Sequence, residues 1–176
     1  DGEEYSIGAT REGEAITPAN IRVIKQTTHG SLTDTQPLNI NNTVMFVQKA
    51  GNKLMEYEYY FDSNKYVAEE KTILSEHITL SGIKKIGYIK EPRPLVLILR
   101  NDGVLAICLY LKSELANIAC FSRLVTDGLI KDFCITRNNN VEQVWLIVER
   151  TINSQTKKYV EVMNESLFNG VEGWKW

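Results

Sequence analysis

The chain has 176 residues, 43% of them hydrophobic and 24% charged, which is enough apolar material for one or two domains with a buried core. Its 20 basic and 22 acidic residues leave a net charge of -2 and exclude the strongly basic surface of a DNA reader. No apolar run approaches the ~20 residues of a membrane helix, and the N-terminus lacks the basic-then-apolar layout of a signal peptide. The expectation is a chain made in a cytoplasm, with no membrane insertion.

In chain order, residues 1–20 are polar and contain several glycines, and they read as a flexible N-terminal arm. Ile21–Gln26 reads as a strand. A hairpin follows, Val44–Gln48 and Leu54–Tyr60 about a turn at Ala50-Gly51-Asn52. Residues 69–78 have Ile73, Leu74, His77 and Ile78 at helical spacing, and the stretch that begins at Ala68 predicts one short helix. Ile83–Tyr88 is the next strand, then a second hairpin, Leu95–Leu99 and Val104–Tyr110 about Asn101-Asp102-Gly103, and a further strand at Ile118–Leu124 that closes at Thr126-Asp127-Gly128. Ile130–Ile135 leads a third hairpin, Val144–Val148 and Tyr159–Met163, with a longer turn around Asn153-Ser154-Gln155.

The offset from Ile83 to Ile130 is 47 residues, close to the 40 to 50 residues of a four-stranded propeller blade. The fold expected is all-β: about three antiparallel four-stranded blades of an incomplete propeller, over approximately 21–80, 81–128 and 129–168. The first strand of each hairpin is almost continuously apolar and is expected to be covered on both faces. The second strands alternate and are expected to turn one face to solvent, with Glu56 and Glu58 as outward charges. Residues 169–176 read as a C-terminal tail. With Asp1 at the start and two tryptophans at the end, the chain is expected to be a fragment of a longer protein.

Chemistry-bearing patterns are sparse. Cys108, Cys120 and Cys134 are spaced too widely for a zinc site or a disulfide framework and read as buried free thiols. His29 and His77 are far apart, and each reads as a hydrogen-bonded loop or core imidazole. No nucleophile elbow, phosphate loop or dinucleotide fingerprint is present, so no catalytic residue, metal site or cofactor is predicted. A glycosidase needs two carboxylates about 5 to 10 Å apart in a pocket, and Glu56, Asp62, Glu69, Asp102 and Glu161 are the candidates. Asp62-Ser63-Asn64 reads as a polar turn, since it lacks the ligand spacing of a calcium loop. Among the aromatic residues, Tyr57, Tyr59 and Trp145 are the candidate binding residues, with packing between blades as the competing use of their rings.

Taken together, the motifs resemble a known family. Thr17-Pro18-Ala19-Asn20-Ile21 through His29-Gly30, then Phe46-Val47-Gln48 with Gly51, Lys53 and Glu56, then Tyr66-Val67-Ala68 with Leu74 and His77, fall in the order found in phage and prophage tail proteins of the nozzle, or tail tubular, β-propeller type. Glu91-Pro92, Arg100-Asn101-Asp102-Gly103, Thr126-Asp127-Gly128, Val144–Arg150 and Tyr159-Val160-Glu161 continue that order, so the resemblance spans about residues 17 to 163. Glu69-Glu70-Lys71 and Phe121 depart from the pattern locally. The resemblance implies a non-enzymatic virion structural protein of the tail. Its implied partners are further copies and other tail proteins, around a channel that passes DNA without sequence-specific binding. The alternative reading is a propeller-type module that binds a host glycan or protein.

Overall fold

The computed structural model describes residues 2–11, 13–113, 116–138 and 141–163. They belong to two compact units, one ending at Lys71 and one starting at Thr72.

The first unit opens with β1 (Glu4–Ala9) and β2 (Ile21–Thr27), an antiparallel two-stranded ribbon in which Ile7 faces Val23 and Ala9 faces Ile21. The stretch expected to be a flexible arm thus contains a strand, because Tyr5, Ile7 and Ala9 alternate with Ser6 and Gly8 and find partners on β2. The ribbon also claims the strand expected to lead the first blade. The four-stranded sheet of this unit is instead β3 (Leu38–Ile40), β4 (Thr43–Val47), β5 (Leu54–Tyr60) and β6 (Lys65–Glu70), in sequential order. Gly51, at φ +84°, makes the β4–β5 turn, where its N–H is donated to Gln48 O. Ile40, Met45, Phe46, Val47, Leu54 and Met55 form the buried apolar set.

β6 occupies the start of the predicted helix. Its backbone pairs with β5 from Met55↔Glu70 to Tyr60↔Lys65, which gives Ala68–Glu70 the ladder bonds that a helix would have had to supply locally. Only α1 (Glu76–Thr79) is helical, and Ser75 before it makes no side-chain cap bond. Ile73 and Leu74 are 64% and 91% exposed, so the helical spacing read from them marks no buried stripe.

In the second unit β7 (Ile83–Ile89), β8 (Leu95–Arg100), β9 (Leu105–Ser113) and β10 (Ala116–Leu124) form a four-stranded antiparallel meander. A further meander follows, β11 (Leu129–Asn138), β12 (Val141–Ile152) and β13 (Gln155–Val162), with three strands among the described residues. The end of the third predicted blade, 164–168, and the tail 169–176 lie outside the described residues. Asn153 (φ 50°) and Ser154 (φ 62°) join β12 to β13. Thr151 faces Thr156 and Ile152 faces Gln155, so this turn has two residues and is not the longer loop expected.

The 47-residue repeat is structural. β7 is bulged between Ile83 and Lys85, and β11 is bulged at the equivalent place, between Ile130 and Asp132. Equivalent residues also meet: Lys84 Nζ donates to Lys131 O (2.7 Å), and Lys85 Nζ pairs with Asp132 (2.8 Å) while donating to Phe133 O (2.7 Å). The two sheets share one core, in which Ile89, Leu95, Leu97, Leu99 and Leu105 pack with Ile130, Phe133, Val144, Leu146 and Val148. Gly87 permits the approach, since a Cβ there would lie 2.6 Å from the Phe133 ring.

The fold is therefore all-β and antiparallel, in blade-sized meanders, with one short helix among the described residues. No described helix is long and apolar enough to cross a membrane. The expectation of two-sided cover is met in β8, where all six residues are buried, but not in β12, where Trp145 and Ile147 are 37% and 39% exposed.

Candidate functional surfaces

The alternation of β5 puts Tyr57 and Tyr59 on one face, and the pairing Tyr59↔Tyr66 brings a third ring to the same face. Tyr57 and Tyr66 stack nearly parallel, with centroids 5.0 Å apart and planes 9° apart. Tyr59 tilts against Tyr66 at 5.1 Å and 57°, and its hydroxyl donates to Asn64 Oδ1 (2.5 Å). Tyr59 is 41% exposed, whereas the Tyr57 hydroxyl is buried and has no hydrogen-bond partner among the described residues. Burial raises the Tyr57 pKa, with smaller contributions from Tyr66 and Glu4. The result is an aromatic ladder with one accessible rung. Trp145 belongs to the other unit, on β12, where its Nε1 donates to Thr136 Oγ1 (3.1 Å).

Four of the five carboxylate candidates, Glu56, Glu69, Asp102 and Glu161, are held by cations, and Asp62 is exposed in the β5–β6 turn. Glu56, expected to point to solvent, is only 2% exposed, and Lys71 Nζ lies 2.5 Å from its Oε2. Glu69 stands directly across the ladder from Glu56, and the same ammonium reaches it at 3.3 Å. Two like charges can face each other here because Lys71 sits between them. The sequence clue was Lys71 itself, just past the strand that faces Glu56, but alternation on β5 pointed the other way. Asp102 pairs with Arg100, which also donates to Ser81 Oγ and to Ile78 O (2.8 Å each). Burial pushes the Asp102 carboxyl up, but the Arg100 hydrogen bonds and charge, with hydrogen bonds from the Val104 N–H and Ser81, together hold it below its ordinary value. Glu161 is lowered by its hydrogen bonds to Arg150, which also reaches Thr126 Oγ1 (2.8 Å) and the Asp127 carbonyl. These pairs tie turns and strand ends to their sheets.

His29 and His77 are both exposed, so neither is a core imidazole. Cys108 is buried as expected, but Cys120, on the edge strand β10, and Cys134, on the side of β11 opposite to Phe133, are exposed. No three His, Cys, Asp or Glu residues among those described converge as metal ligands. No protein-family model and no curated protein matches the chain.

Proposed function

We propose that this chain is a structural, non-catalytic part of a phage or prophage tail of the nozzle type. In this reading it resides in the virion tail, assembles with further copies and with neighbouring tail proteins, and helps to surround a channel for DNA. The observation that carries the reading is the placement of the family-like motifs. Gly51 turns the first meander and Asp102-Gly103 turns the second, each between the two central strands of a four-stranded sheet. A unit that buries its apolar side on the next unit suits a rigid building block. The net charge of -2 also suits a surface past which DNA slides without adhering. Particle size tests this: the protein, alone or mixed with neighbouring tail proteins, is expected to form multimeric rings visible by electron microscopy. A protein that stays strictly monomeric in both settings overturns the reading.

The Tyr57–Tyr66–Tyr59 ladder supports a second reading, a module that binds a glycan through stacking on the accessible Tyr59 ring. Specific retention on a glycan array, abolished by Tyr59→Ala, would favour it.

A further inference from the structure

The sheet β11–β12–β13 has two apolar faces. One carries Val144, Leu146 and Val148 into the core shared with β7–β10. On the other, two cross-strand rows lie side by side, Cys134–Trp145–Val162 and Asp132–Ile147–Val160. Trp145 and Ile147 are 37% and 39% exposed, and Val162 and Val160 are 47% and 72% exposed. β13 is the telling strand. Its core side holds Tyr159 and Glu161, the latter bound to Arg150, while both of its valines in this stretch point away from the core. A strand that served only its own unit would have the opposite pattern.

From this arrangement we infer that the outer face is an interface with a second copy of this chain, packed sheet to sheet about a two-fold axis lying across the strands. The order of the rows favours that occupant. Beyond the Ile147 row comes a charged row, Glu149 facing Lys158, with Lys131 Nζ 2.9 Å from Glu149. Beyond the Trp145 row, in the opposite direction, comes the neutral pair Thr136 and Gln143. The two-fold lays each charged row over the partner's neutral row, and each Trp145 row over the partner's Ile147–Val160 row. Among the described residues, no like charges meet. Asp132, at the sheet edge, is already held by Lys85 and by the Phe133 N–H. The contact is isologous, so a single patch supplies both halves, and Trp145 is its largest ring. At sheet spacings, three strands overlapping by about eight residues give a footprint on the order of 400 Å². Counted on both copies this is below the area of a standard specific interface, so the expected association is weak and reversible, with a dissociation constant no tighter than micromolar.

The inference rests on the surface of the second unit alone and does not depend on the tail reading. Sedimentation velocity of the 176-residue chain from about 1 to 100 µM tests it. The expected result is a shift from the mass of one chain to the mass of two. Val160→Lys and Ile147→Lys are each expected to weaken association at least about tenfold. Both sites are already exposed, and circular dichroism checks that each variant stays folded. Val125→Lys, at a 74% exposed position between β10 and β11, is the control and is expected to leave the dimer intact. A wild-type chain that keeps the mass of one chain at the highest concentration overturns the inference. So does a dimer that survives both face variants or is lost in the control.

Discussion

β8 and β12 begin as near twins: Leu95-Val96-Leu97-Ile98-Leu99 in one, Val144-Trp145-Leu146-Ile147-Val148 in the other. Each is the second strand of its sheet and each continues into a hairpin. Their surroundings differ. All of β8 is buried, whereas β12 buries Val144, Leu146 and Val148 and leaves Trp145 and Ile147 more than a third exposed. A continuous apolar run records that a strand tolerates cover on both faces, not that both covers are present. Where one cover is absent among the described residues, the same sequence pattern leaves an apolar face exposed.

The largest expected effect separates the two strands directly. Leu97→Ala removes a fully buried side chain from β8 and is expected to destabilise the second unit by about 2–5 kcal/mol. Ile147→Ala in dilute solution is expected to cost less than about 1 kcal/mol, since part of that side chain is already in water. Urea unfolding of both variants checks the contrast, and equal losses would break it. Next is the seam between the sheets. Gly87→Ala pushes a methyl group into the Phe133 ring and is expected to cost about 1–3 kcal/mol. Pairing it with Phe133→Leu should recover part of the loss if the ring is the obstacle. Smaller, and of opposite sign, is Ser154→Gly. The residue sits at φ 62° in the β12–β13 turn, so glycine there is expected to raise the melting temperature, by about 0.5–1 kcal/mol of stability.

The smallest effect is at the Lys85–Asp132 pair that links the two sheets. The Lys85 hydrogen bond holds the Asp132 carboxyl below its ordinary value of 3.8, with burial opposing it. A carboxyl lowered in the folded state stabilises fully above its unfolded pKa, and that stabilisation is lost as pH falls through the folded pKa. The contribution should therefore be intact at pH 6 and fade below about pH 4. Both partners are about half exposed, so Asp132→Asn is expected to cost less than about 1 kcal/mol at pH 6 and nothing further in acid. Chemical denaturation at both pH values reads the difference.

Much of the fold was legible because its signals are local. The Gly51 and Gly103 turns come from residues that accept positive φ, and the 47-residue spacing reappears as matching bulges at Ile83–Lys85 and Ile130–Asp132. The site was less legible. Tyr57 and Tyr59 could be placed on one face from alternation, but the stacking partner Tyr66 depends on the β5–β6 register, and nothing local to Glu56 announced its burial against Lys71. Strand ownership was likewise a matter of competition: Ile21–Thr27 could have joined a four-stranded sheet, but pairs with Glu4–Ala9 instead.

By itself, the sequence determined that this protein is built of strands, where its tight turns fall, and that one unit of the chain repeats in another, because turn chemistry and side-chain alternation act within a few residues. Only the tertiary structure decided which strands pair, which apolar faces are covered and which charges are buried. Those outcomes depend on what stands opposite each face, and residues far apart in the chain supply it.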